Sequence, residues 1–204
     1  MKVLVLIPTR GFVEPACLHA IHAQDYTDYS TYVHILKPVK LHGDFEKDRV
    51  LNIVRNRNSI RELALKSDAE WFFWIDSDTI IPSNAISTFL RHNKPFMGGW
   101  YKKKDGSTWV AGKFLSNGQL SFYKEQPRDG EISVDLLGLG CSFMHRSVLE
   151  KISFDGGVDK WMTDTDGRRF FYAECAMFCE SAKQSGIEPL LIREVVCSHI
   201  PVLT

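Results

Sequence analysis

The sequence predicts an α/β fold, a twisted mixed sheet flanked by helices. Three observations predict it. Strand-like and helix-like segments alternate through the first half. Short alternating stretches, the pattern of hairpins, come next, before a returning helix. A 12% aromatic fraction argues for a packed core rather than disorder, and 204 residues suit a single domain spanning 1–204.

The first strand is the apolar run at 2–7, because it is too short for a signal peptide and no small-residue cleavage site comes after it. Pro8-Thr9-Arg10-Gly11 makes a turn into a helix near 14–23, and 31–36 is a second strand. Residues 37–48, with Pro38, Gly43 and charged positions, read as a loop. A helix over 49–66 carries Ile53, Ile60 and Ala64 at helical spacing. Trp71–Ile75 is a buried strand, and Pro82-Ser83 opens a helix over 83–91 with Ile86, Phe89 and Leu90 on one face. Phe96-Met97 runs as a strand into Gly98-Gly99.

Residues 100–133, rich in Lys, Gly and Ser, suggest antiparallel hairpins. Val134–Leu137 is a further strand and Ser147–Ile152 a short helix. A Gly- and Asp-rich loop is expected over 155–169. A helix over 172–185 stops at Gly186, in the C′ position. Strands at 189–192 and 195–198 close the sheet.

Composition limits the function classes. Twenty-five basic and 25 acidic residues cancel, so there is no overall footprint for nucleic acid or an anionic membrane. No apolar run is long enough for a transmembrane segment. The five cysteines are odd in number and form no Cys-x-x-Cys pair, which points to a reducing cytoplasm and away from a disulfide framework or zinc site.

Ligands collect at the carboxyl ends of strands in such sheets, and both Pro8–Gly11 and Asp76-Ser77-Asp78 come directly after strands. On extended backbone, Asp76 and Asp78 project to one side, where two carboxylates call for a hard cation such as Mg²⁺ or Mn²⁺. The alternative is an Asx-type turn with Asp78 as the cap of the next element. Arg57 falls four residues after Ile53 and three before Ile60, inside the apolar stripe, and needs an anionic partner: a phosphate or a structural carboxylate. Glu174, in the first turn of its helix, is satisfied by the helix dipole or serves as a general base facing a cleft. His199 lies just past a short strand that returns it to the sheet edge, as a hydrogen-bonded structural residue or as a ligand.

The stretch 56–106, "NRNSIRELALKSDAEWFFWIDSDTIIPSNAISTFLRHNKPFMGGWYKKKDG", resembles the donor-binding half of family 2-like, GT-A-fold glycosyltransferases. "VDLLGLGCSFMHRSVLEKI" (134–152) resembles that family's next block, "AECAMFCESAKQSG" (173–186) its acidic helix, and "VVCSHI" (195–200) its closing strand and histidine. The resemblance implies a donor half at 1–104 and an acceptor or catalytic half at 105–204. It implies that Asp76 and Asp78, with His199, hold a divalent metal on the diphosphate of a UDP- or GDP-sugar. Thr9, Arg10, Gly11, Arg57 and Ser77 would contact the nucleotide. Trp100 and Tyr101 would offer a stacking face to a sugar, with Gly138 and Gly140 beside it.

The family helix usually reads Glu-Asp, with the aspartate as base, whereas here Glu174 is followed by Cys175. Either Glu174 is the base, or Asp164 or Asp166 is, or activity is altered. The expected reaction is metal-dependent transfer of a sugar from the nucleoside-diphosphate donor to an acceptor hydroxyl, with inversion implied by the resemblance. Two alternatives stand beside it: a non-catalytic sugar-nucleotide or glycan-binding protein, and a nucleotidyltransferase. The latter calls for a richer phosphate loop than Pro8–Gly11 supplies.

Overall fold

The chain starts one strand in from the edge of its sheet. Strand β1 (Val3–Thr9) leads through α1 (Pro15–His22) to β2 (Tyr29–Ile35), which pairs with β1 in parallel. The structure is a computed structural model that describes residues 1–40, 43–126 and 130–200. The loop expected at 37–48 and the hairpins expected at 100–133 each fall partly outside the described residues.

Helix α2 (Phe45–Lys66) begins earlier than the apolar spacing predicts. Asp44 is its N-cap: the side chain accepts from the backbone N–H of Glu46 and Lys47, each at 3.0 Å. A charged first turn that reads as loop in sequence is thereby helical. Strand β3 (Trp71–Ile75) pairs with β1 in parallel and is buried at every position. Its period of two splits the aromatic run between two cores. Phe72 and Trp74 join Ile60, Phe96 and Phe178 on one face; Trp71, Phe73 and Ile75 join Ile21, Phe89 and Phe143 on the other.

Beyond β4 (Thr79–Ile80) come α3 (Ala85–His92) and β5 (Phe96–Trp100). Two short strands, β6 (Ala111–Phe114) and β7 (Leu120–Phe122), form the expected hairpin. Next are β8 (Glu131–Ser133) and β9 (Leu136–Leu137), with β6 between β7 and β9. Strand β10 (Cys141–His145) is not predicted by the sequence pattern, yet it lies antiparallel between β3 and β5 at the centre of the sheet. Nearby glycines and Ser142 mask its apolar pattern.

Helix α4 (Arg146–Lys151) comes next. The predicted loop 155–169 holds a hairpin instead, β11 (Gly157–Thr163) with β12 (Arg169–Tyr172). Trp161 stacked on Phe171 at 4.0 Å supplies a cross-strand pair that outweighs the surrounding Gly and Asp. Helix α5 (Glu174–Gln184) ends at Ser185, with Gly186 in the left-handed region at φ 75°.

Strand β13 (Leu190–Val196) is one bulged element rather than two, and β14 (Ser198–His199) pairs antiparallel with β4. The main sheet has seven strands in the order β2-β1-β3-β10-β5-β13-β8. This is the mixed sheet the sequence predicts.

Candidate active site

The carboxyl ends of β1 and β3 open into a cleft of about 790 Å³. Its walls bring together Thr9, Arg10, Gly11, Arg57, Asp76, Ser77, Asp78, Glu174 and His199, residues spread over most of the sequence. At the end of β1, Thr9 organises the turn: its hydroxyl donates to the Phe12 carbonyl at 2.7 Å and accepts from the Gly11 N–H at 3.2 Å.

Asp76-Ser77-Asp78 is placed by a turn and not by strand alternation. The Asp76 carbonyl accepts from Thr79 N at 3.0 Å, closing a tight bend, and Asp76 N donates to the Gly140 carbonyl at 2.9 Å. Ser77 is tied in as well, its carbonyl accepting from Glu14 N at 2.9 Å. The two carboxylates consequently meet different cations. Asp76 pairs with Arg57 at 3.2 Å and Asp78 with Lys104. Capping does not explain Asp78, because α3 begins with Asn84 at its N-cap.

Arg57 meets two carboxylates of the cleft. Its Nη2 meets Asp76, its Nε lies 3.7 Å from Glu174, and its guanidinium sits 5.5 and 5.8 Å from the ring centres of Trp74 and Phe154. The side chain is 4% exposed. An always-charged group so deeply buried is held by its acids and aromatic faces together.

Glu174 starts α5 and its side chain is 12% exposed. Burial raises its carboxyl above the usual range; Arg57 opposes that shift and Asp76 adds to it. Cys175 is pushed well up by burial first and Glu174 second, which keeps it a neutral thiol. Asp164 and Asp166 do not line the cleft. The Asp164 carboxylate is spent on its own turn, accepting from Asp166 N at 3.0 Å and Arg168 N at 2.8 Å.

His199 returns to the edge because β14 pairs with β4, setting His199 opposite Thr79, while Ile200 N donates to the Asp78 carbonyl at 3.1 Å. The imidazole Nδ1 is buried without a hydrogen-bond partner, and the ring lies edge-on to Tyr101 at 5.0 Å.

Four expected positions are corrected. Trp100, 1% exposed, packs edge-to-face with Trp109 and Tyr123 in the core, so it has no face for a sugar. Tyr101 is 5% exposed and its hydroxyl accepts from Gly140 N at 3.0 Å. Gly138 and Gly140 make room for these neighbours. A methyl on Gly138 would lie 2.1 Å from the Tyr101 hydroxyl, and one on Gly140 2.5 Å from Asp76 Oδ2. All four stand behind the cleft wall and not on it.

The cleft also contains residues that the sequence pattern does not single out, among them Asn56, Arg49 and Lys104. Asn56 is buried with its side-chain oxygen unpartnered. Its position, three after Ile53 and four before Ile60, was the available signal.

No family model and no curated protein matches the chain. Solved structures do match. One is A197 from STIV, with a TM-score of 0.63 at 17% identity, covering 98% of this chain and 86% of that one. Another is GalNAc-T7 with UDP, GalNAc and Mn²⁺, with a TM-score of 0.64 at 10% identity, covering 98% of this chain and 44% of that one. A third is S. aureus TarS 1–349 in complex with UDP-GlcNAc, with a TM-score of 0.58 at 13% identity, covering 98% of this chain and 59% of that one. The chain thus spans less than two thirds of the last two. At these identities the likeness is one of fold alone, and the fold is GT-A-like.

Proposed function

We propose that this chain is a glycosyltransferase that moves a sugar from a UDP- or GDP-sugar to an acceptor hydroxyl. The observation that carries the reading is the convergence of Thr9–Gly11, Arg57, Asp76–Asp78, Glu174 and His199 on one cleft at the carboxyl edge. GalNAc-T7 with UDP and TarS with UDP-GlcNAc lend support at the level of fold. The donor half is assigned to 1–104 and the acceptor half to 105–204.

In this reading Thr9, Arg10 and Gly11 receive the nucleotide, with Ser77 beside the diphosphate. Arg57 acts as a positioning residue, holding Asp76 and Glu174 at set places. Glu174 takes the proton from the acceptor hydroxyl, and burial, which raises its carboxyl, makes it a stronger base than a solvated carboxylate. Attack by that oxygen on the anomeric carbon, with departure of the diphosphate, is a direct, inverting displacement.

A divalent ion fits the donors in kind: two carboxylates, and an imidazole whose buried Nδ1 lacks a partner. Asp76, Asp78 and His199 would hold it. In the described residues no three His, Cys, Asp or Glu side chains gather as a metal cluster, and protein cations engage both aspartates. When bound, Mn²⁺ or Mg²⁺ offsets the charge growing on the leaving diphosphate. No described helix is long and apolar enough to cross a membrane. A cytoplasmic location is part of the proposal, supported by five free cysteines.

One observation favours a second reading, a non-catalytic nucleotide-sugar-binding protein: Glu174 is engaged by Arg57 and has no aspartate beside it. The two readings part on release of free nucleoside diphosphate from a panel of donors with Mn²⁺. Turnover above the uncatalysed rate supports the transferase. Binding without release supports the second reading. Asp78→Ala is expected to lose metal-dependent nucleotide binding, and unchanged binding in that variant would sink the site.

A further inference from the structure

Three consecutive lysines on the turn after Tyr101 have three different destinations. Lys102 Nζ lies 5.4 Å from the ring centre of Trp109, and Lys103 Nζ lies 3.8 Å from that of Phe122. Lys104 alone reaches into the cleft, where it pairs with Asp78. The turn that carries it is well tied. Val110 N donates to the Tyr101 carbonyl at 2.9 Å, and Lys103 N to that of Thr108 at 2.8 Å. Gly106 N donates to the Lys103 carbonyl at 2.8 Å. Its one acidic residue, Asp105, is occupied locally, accepting from both the N–H and the hydroxyl of Ser107. Tyr101 anchors the base of the turn through Gly140. Lys104 is therefore aimed at Asp78 by its surroundings.

The two cations at the Asp-Ser-Asp turn differ in mobility. Arg57 is 4% exposed and caged by Trp74 and Phe154, whereas Lys104 is 50% exposed at the end of a flexible stem. A doubly charged ion entering at Asp78 cannot share that carboxylate with an ammonium group, because like charges at contact distance repel. Only the lysine is free to leave.

We infer that Lys104 and a divalent cation are alternative partners of Asp78. The lysine holds the carboxylate until the ion arrives and swings off when it does. This rests on the proposed donor site, and it adds an order of events. Metal alone is opposed by Lys104. Metal with a nucleoside diphosphate is favoured, because the displaced ammonium gains an anionic oxygen to meet.

The test is calorimetric titration of Mn²⁺ alone into the full chain. Lys104→Met should bind Mn²⁺ about three- to tenfold tighter than wild type, the scale of one partly exposed ion pair together with relieved repulsion. Lys104→Arg, which keeps the charge, should stay near wild type, and Asp78→Asn should not bind. Equal or weaker binding by Lys104→Met, with Asp78→Asn still defective, would overturn the role of Lys104 and leave the metal site standing. Wild-type binding by Asp78→Asn would remove both. A second measurement needs no variant: Mn²⁺ should raise the rate at which Lys104 is acetylated by an amine-reactive ester several-fold, read by mass spectrometry. An unchanged or lower rate also overturns the exchange.

Discussion

The rim of the cleft and the wall behind it lie against each other in space but obey different physics. On the rim, Asp76, Asp78, Glu174 and Arg57 are charged groups whose cost is offset by pairing. Behind it, Trp100, Tyr101, Gly138 and Gly140 are a packing unit in which a ring and a hydroxyl occupy space that side chains would fill. Both sets belong to the stretches 56–106, 134–152 and 173–186 that carry the family resemblance. Only the rim can meet a ligand; the wall sets where the rim stands.

The largest way to separate the two is Glu174→Gln. As the base, Glu174 should be worth about 10²–10⁴ in turnover, with donor affinity little changed. The same variant carries a pH signature. A carboxyl raised by burial stabilises the fold in its protonated form, an advantage present below the unfolded value and lost as pH rises through the higher folded value. Glu174→Gln should thus gain stability over wild type above that window and gain nothing below it, in thermal melts from acidic to neutral pH. A turnover like wild type would move the base elsewhere.

Trp100→Ala should act in the opposite manner. Removing a buried Trp side chain costs about 3–5 kcal/mol, so the melting temperature should fall steeply. A folded variant that only weakened donor binding would place Trp100 on the rim after all. Gly138→Ala sharpens the comparison further, at about 1–3 kcal/mol, because Tyr101 must shift to admit the methyl. Tyr101 touches Gly140 and His199, so the loss should include a weakened response to Mn²⁺, measured by thermal shift with and without the ion.

The legible parts of the fold were those whose pattern is local. Trp71–Ile75 is apolar at every position and could only be an interior strand, and the spacing of Ile53, Ile60 and Ala64 could only be a helix. Strand β10 escaped because its neighbours on both sides are supplied by distant segments, so little of its burial is written in Gly-Cys-Ser-Phe-Met-His. The β11–β12 hairpin escaped for a related reason: it is held by Trp161 on Phe171 and by the packing of Phe170 and Tyr172 on the distant Phe122 and Phe114.

For the site, the residue types and their places after strands pointed to a cleft at the carboxyl edge, since strand direction and charge burial are properties of short stretches. The pairings were decided by the tertiary structure alone. That Arg57 would join Asp76 to Glu174 and that Lys104 would take Asp78 are long-range outcomes, as is the burial of Trp100 and Tyr101. A sequence shows which groups must find a partner. Which partner each one finds depends on what the folded sheet brings within reach, because Coulomb attraction and packing act over ångströms and not over residues.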